Sequence, residues 1–298
     1  MVAMRREKPS LQEVRAFWEK HPAGYDQIAH LEDDPLAFLE ERDRQTRLLS
    51  PKIRENYRMA RAAGKRTLDI GCGQGFNAQE LVTCGARLTA MDLTSKGLSL
   101  ARSRFNLRGL KADFVQASAE RMPFAEGVFE FVHSSGVLHH TPDIERAVAE
   151  MHRVMAPGAE ASVMLYNKNS IAYRYNICIK MRLLMTFLFL LPAGARAGLL
   201  SRRPGLRQYV PARWPTSSDV LNASTDFGGV ENPLSRVYTH AGARRLFARF
   251  TVTGFAASHG VYKPGKDKSP LEGLIARLYE KVMGRWGWYL FIHLRKDA

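Results

Sequence analysis

The sequence predicts an α/β fold in which helices wrap a mostly parallel sheet, and three observations carry that expectation. A short apolar run, Thr67 to Ile70, spills into glycines at 71, 73 and 75 before a helical pattern begins at Phe76. A second apolar run, Ala86 to Met91, closes on an acid, Asp92. Strand and helix patterns then alternate from Lys65 to Asn167, the order that builds parallel strands joined by crossover helices.

Taken in order, residues 1–64 read as a helical cap, with Pro22, Gly24 and Pro35 as breaks and the charged run LEERDRQTRLL before Pro51. The N-terminal stretch is charged and lacks the apolar segment of a secretory leader, so it reads as an amphipathic helix. The region 65–167 reads as the core, with a helix over Phe76 to Val82 and a helix whose Met151, Val154 and Met155 serve the interior. An insert is expected over 168–238. The core resumes over 239–298, where Thr239 caps a helix carrying Leu246, Phe247 and Phe250, followed by strands near Val252 to Ala257 and over Tyr289 to Leu294.

The order D-x-G-x-G-x-G, with Asp69 directly before the glycines, resembles motif I of the class I S-adenosylmethionine (SAM) methyltransferases. Glu120 to Asn167 is similar to the central block of the type 11 methyltransferases, which include the ubiquinone and menaquinone enzymes. The similarity covers the turn at Met122 to Phe124, a fourth strand with an LHH tail, a helix, the RVxxPG turn at Arg153 to Gly158 and a fifth strand. The resemblance implies a Rossmann-like seven-stranded sheet, parallel except for a C-terminal antiparallel hairpin, with SAM as cofactor and no metal. It makes Leu271 to Trp286 an added helix between the last two strands.

Carried over residue by residue, the resemblance assigns Gly71, Cys72, Gly73 and Gly75 to the amino-acid end of SAM, through backbone N–H groups and a helix N-terminus. Asp69 orients the turn or takes the methionine ammonium. Asp92, with Leu93 beside it, takes the ribose hydroxyls at a strand tip. Relatives carry an acid at the adenine, where this chain has Ser118 followed by Ala119; a hydroxyl still accepts that bond. Ser135, at the end of the fourth strand, and Tyr25, in a segment that closes over SAM in relatives, complete the expected cofactor set.

Methyl transfer is an in-line displacement, so the protein must align the acceptor, exclude water and remove a proton where one is present. His139 and His140 follow the fourth strand, and each reads either as a base or as a brace for the loop, with His140 preferred. Tyr166 and Asn167 end the fifth strand and read as pocket residues. His133 and His152 read as structural. Asn232 and Arg236, in NPLSRVY, read as a turn or as polar contacts to the acceptor.

Charge narrows the partners. The net charge is +15, and the stretch between Ala161 and Ser218 holds nine cations and no acid. The same stretch contains the most apolar run, Ile177 to Ala195, whose uncharged part from Leu183 is thirteen residues interrupted by Pro192. That is too short for the roughly 18–20 residues of a spanning helix. Three readings stand: a lid lining the acceptor pocket, an interfacial helix touching an anionic membrane through 177–213, or a docking stripe for nucleic acid, which gains little from a long apolar run. Three cysteines without metal spacing fit a reducing cytoplasm and exclude a disulfide framework. The expected activity is methylation of a small apolar or amphipathic metabolite, O-methylation first and C- or N-methylation next. The alternatives are a methyltransferase of RNA or protein and a SAM-binding module without transfer.

Overall fold

A computed structural model describes residues 8–23, 25, 28–49, 52–225, 232–258, 282 and 284–298. The chain opens with α1 (Leu11–Lys20), α2 (Pro35–Leu49) and α3 (Ile53–Asn56). Ser10 and Glu13 form a reciprocal capping box that starts α1, and Val14 and Phe17 turn inward one turn apart.

The core follows as β1 (Arg66–Ile70), α4 (Phe76–Thr83), β2 (Arg87–Asp92), α5 (Ser95–Leu107), β3 (Asp113–Gln116), β4 (Phe129–Ser135), α6 (Ile144–Val154) and β5 (Met155–Asn167). These five strands are parallel, in the spatial order β3-β2-β1-β4-β5. Helices cover both faces of the sheet, so β1 is buried at every position from Thr67 to Ile70, its polar Thr67 and Asp69 included. Alternate residues of β4 enter opposite layers: Val132 packs with Leu68 and α6, whereas Phe131 packs with Tyr57 and α5. Helix α6 shows why it forms. Asp143 caps it by accepting from Arg146 N–H at 3.0 Å, and Ile144, Ala147, Val148, Met151 and Val154 make its buried stripe.

After β5 come a ten-residue π-helix (Ala172–Met181), α7 (Arg182–Leu190), α8 (Ala193–Arg202) and α9 (Ser217–Ser224). The chain then returns through β6 (Val237–Tyr238), α10 (His240–Leu246), β7 (Thr251–Ser258) and β8 (Tyr289–Arg295). Thr239 caps α10 as its sequence position implies, accepting from Gly242 N–H at 3.0 Å. Strand β8 slots antiparallel between β5 and β7, so the expected terminal hairpin is present. The sheet has one strand more than the seven expected, because the two-residue β6 pairs with Tyr166 and Asn167 of β5. The helix expected over Leu271 to Trp286 falls mostly outside the described residues.

The N-terminal helices are fastened by buried charge. Glu80 of α4, 1% exposed, accepts from Arg47 at 2.9 Å and from Arg54. Arg104 of α5 is fully buried beneath the glycine turn; it donates to the Gln74 carbonyl at 2.9 Å and to the Asp43 carboxylate at 2.6 Å. Removing one partner of such a pair strands the other. Arg104→Ala is therefore expected to cost about 3–5 kcal/mol of stability, read as a lowered denaturant midpoint with an unchanged m-value.

Candidate active site

The site sits where β1 and β4 end and the chain crosses over the sheet. Gly71 adopts φ +75°, and a Cβ there would lie 2.1 Å from the Val137 side chain. Gly75, at φ +79°, leads into α4, where a Cβ would press 3.0 Å from that of Ala101. Both positions need glycine for conformation and for space.

The N–H groups of the three glycines turn inward. Gly71 donates to the Met91 carbonyl at 2.7 Å, Gly73 to the Asp92 carboxylate at 2.8 Å and Gly75 to the Cys72 carbonyl at 2.9 Å. They were expected to face a ligand; instead the glycines shape the turn. The donors left for a ligand are those of the first turn of α4, which no side chain caps.

Asp92, at the tip of β2, accepts three hydrogen bonds: from Gly73 N–H, and from Thr94 N–H and Oγ1 at 2.8 and 2.6 Å. Burial raises its pKa, and those bonds oppose the rise. A carboxylate has about four lone-pair sites, so capacity remains for hydroxyl donors.

Two cavities meet at this turn, sharing Trp18, Ala23, Gly71, Gly73, Ser135 and Gly136 in their walls. The first encloses about 840 Å³ of non-atom space, solvent at its mouth included. Asp92, Leu93, Ser118, Ala119 and His140 line it, and Val14 and Trp18 of α1 roof it. The second encloses about 970 Å³ on the same basis, lined by Arg42, Cys72, Gln74, Asn77, Tyr166 and Tyr289. Burial pushes the Cys72 thiol well above its ordinary range, so it stands there as a small apolar group.

The structure separates the two LHH histidines. His140 lines the first cavity, and its Nδ1 lies 2.6 Å from the Leu234 carbonyl. A carbonyl only accepts, so Nδ1 carries a proton, and whenever the ring is neutral its lone pair is on Nε2. His139 lines neither cavity. It is fully buried against the Tyr166 ring at 3.9 Å, and burial lowers its pKa well below the ordinary value.

Other expected residues lie elsewhere. Asp69 is fully buried and absent from both cavity walls, with Oδ1 held 2.7 Å from Nδ1 of His133. Tyr25 packs with Ile28, Phe38 and Leu39 in the N-terminal cluster, under the ammonium of Lys96. Asn232 bonds to Thr225 and Ser235, while Arg236 donates to the carbonyls of Thr141 and Pro142, so both brace the turn before α10. Asn167 is buried and donates to the Gly287 carbonyl at 2.9 Å. Ser135, by contrast, lines both cavities, where it accepts from the hydroxyl of Tyr57, whose pKa burial raises.

The insert departs furthest from expectation, since none of its described residues, 168–225 and 232–238, lines either cavity. Ile177, Met185 and Leu188 are buried, the first two clustering with Val220 and Leu221 of α9. The roof is built from the N-terminus: Trp18, Arg42 and Thr46 reach the site from α1 and α2. No local motif marks those three residues; only the amphipathic pattern of α1 hinted that its inner face meets something.

A parallel sheet with a glycine turn at one strand end and an acid at the next defines a Rossmann-like nucleotide-binding enzyme. A methyltransferase domain model matches residues 68–163. A ubiquinone biosynthesis O-methyltransferase of Aromatoleum aromaticum is 33% identical over 184 residues, spanning 61% of this chain and 74% of that relative. Enzymes of the same name from Nitrosococcus oceani and Pseudomonas aeruginosa are 34% identical, over 40% and 42% of this chain and only 50% and 55% of their own lengths. A Haloferax volcanii methyltransferase solved with the activator Trm112 shares the fold at TM-score 0.54 and 13% identity, covering 96% of this chain and 98% of that one. A SAM-dependent methyltransferase of Thermotoga maritima does so at 0.52 and 14%, covering 95% and 100%. The chain belongs to the type 11 family of class I SAM-dependent methyltransferases.

The residues present fit SAM: an acid at the ribose position, an uncapped helix start for a carboxylate, and a mainly apolar cavity with Ser118 at its far wall for a purine. Among the described residues no group of three or more His, Cys, Asp or Glu is arranged to hold a metal ion.

The buried histidines set a pH dependence. His139 is held neutral by burial, and His293 is lowered from 6.5 to about 4. Below pH 6.5 the unfolded chain binds protons that the folded chain refuses, so stability falls as pH drops toward each folded-state value. His139→Gln is expected to flatten the loss of unfolding free energy between pH 6.5 and 5, by up to ~1.4 kcal/mol per pH unit, read from denaturant titrations at each pH.

Proposed function

We propose that this enzyme transfers the methyl group of SAM to an oxygen of a small, lipophilic acceptor. The observation that carries the reading is the pair of cavities joined at the glycine turn, with His140 on one wall and Tyr166 on the other. SAM supplies a methyl group already activated on a sulfonium. Asp92 orients the ribose, and Ser118 with the Ala119 backbone meets the adenine. The first turn of α4 receives the methionine carboxylate. His140, with its lone pair on Nε2, removes the acceptor proton as general base. The roof of Val14 and Trp18 excludes water. The name borne by the curated relatives supports oxygen as the acceptor atom.

Incubation with methyl-labelled SAM and cell lysate is expected to place label in the organic extract; label in RNA or protein would replace the lipophilic acceptor by a macromolecule. Asp92→Ala should weaken S-adenosylhomocysteine binding. His140→Gln should spare that binding and slow turnover by about 10²–10⁴-fold. Unchanged turnover would remove His140 as base.

A specific surface supports delivery of the acceptor from a membrane. Ile171, Tyr175, Ile179, Leu183, Phe187 and Leu190 are 44–65% exposed and recur nearly every fourth residue along the π-helix and α7. Met185 and Leu188 of the same α7 face inward, so the helix is apolar on two sides. The acid-free run around it is complementary to anionic head groups. No helix among the described residues is long and apolar enough to cross a membrane. Co-sedimentation with anionic vesicles is therefore expected, falling with salt and lost in the double variant Leu183→Glu, Phe187→Glu; equal pelleting of that variant would refute the contact.

A further inference from the structure

We infer that Asn222 of α9 is a positioning residue for His140, holding the peptide plane whose carbonyl keeps an imidazole proton on Nδ1. The inference rests on the reading of His140 as general base. It gives the insert, whose described residues line neither cavity, a part in the chemistry.

Helix α9 starts at a capping box between Thr216 and Asp219, and its Val220 and Leu221 cluster with Ile177 of the π-helix and Met185 of α7. Asn222 follows them, 6% exposed, inside a helix where asparagine is disfavoured. Its amide is directed at the segment before β6. Nδ2 donates to the Pro233 carbonyl at 3.2 Å, and Oδ1 accepts from Ser235 N–H at 2.8 Å. A second asparagine, Asn232, accepts from Leu234 N–H at 3.2 Å, so the turn is held from two sides.

Ser235 N–H and the Leu234 carbonyl belong to one peptide unit, which is planar and trans. The two groups therefore point in opposite directions. With its N–H turned to Asn222, the unit turns its carbonyl to His140, whose Nδ1 lies 2.6 Å away. A hydrogen bond at one end of a peptide also polarises the carbonyl at the other and strengthens it as an acceptor. A second oxygen near Nδ1 is the Ser235 hydroxyl, at 3.5 Å. A hydroxyl donates as readily as it accepts, so it selects no tautomer. Of these two, only the carbonyl requires a proton on Nδ1, which leaves the lone pair of the neutral ring on Nε2 for the acceptor proton.

Long-range proton–nitrogen correlation spectra of protein isotope-labelled at the histidine nitrogens test this, recorded at about pH 8.5, well above the ordinary imidazole pKa. His140→Gln identifies the His140 signals by their loss. Wild type is expected to carry the His140 proton on Nδ1 alone, and Asn222→Ala to show a mixture of tautomers. Asn222→Asp, which keeps an acceptor for Ser235 N–H, should retain the wild-type pattern. Transfer of label from SAM into the organic extract of lysate should fall about 10- to 100-fold in Asn222→Ala, while S-adenosylhomocysteine affinity stays at the wild-type value. A merely structural role would lower both together and leave the tautomer alone. A wild-type proton on Nε2, an unchanged tautomer in Asn222→Ala, or a mixture in folded Asn222→Asp would overturn the inference; the first and last decide it even if Asn222→Ala does not fold. Unchanged turnover in His140→Gln would remove the base reading alone, and the spectra would still decide what Asn222 does.

Discussion

The half-buried carboxylate of Asp92 ties two segments of this molecule to one strand tip. One oxygen holds Gly73 N–H and so pins the glycine turn after β1; the other holds Thr94, whose own hydroxyl accepts from Gly97 N–H and caps α5. Two crossover segments are thus locked to one strand tip. Burial opposes ionisation of this acid, and three donors compensate. The group expected to read a ribose is also the one that gives the neighbouring turn its shape, so cofactor recognition and local structure are inseparable here.

Around that anchor, the N-terminal segment behaves as part of the site rather than as an appendage. Glu19, at the end of α1, accepts from Ser95 N–H and Lys96 N–H at 3.0 and 2.8 Å, placing a negative charge at the start of α5 where the helix dipole favours it. That contact seats Trp18 over the cavity and against the His140 ring at 5.0 Å. Beneath the same turn, Arg104 links α2 to the Gln74 carbonyl. Trp18 of α1 lines both cavities, whereas Arg42 and Thr46 of α2 line the second alone.

The insert solves a different problem. Its inner residues build a small core with α9, adjoining β6 and Trp288, while its outer residues leave an apolar stripe uncovered. A helix needed only for packing has one apolar stripe and a polar back. The second stripe is exposed among the described residues, and the run of sequence that carries it, 161–218, holds nine cations and no acid.

The core was readable from the chain because its signals are local: glycines that relieve a positive φ, an acid ending an apolar run, and a capping residue, Thr239, three residues before the N–H group it binds. Such features act within one turn or one strand, so spacing alone reveals them. What tertiary structure decided were the contacts between distant segments. Asp69 read either as a brace for the turn or as a partner of the ligand ammonium, and no local signal showed that β4 would bring His133 beside it. His139 and His140 are adjacent in sequence and equal in chemistry, yet the turn of Leu138–His140 buries one against Tyr166 and turns the other to the cavity. The roof comes from α1 and α2, where the sequence offered either the insert as a lid or an N-terminal segment closing at Tyr25. No periodicity encodes those outcomes, because each depends on which surfaces meet when the sheet closes and not on the residues nearby in the chain.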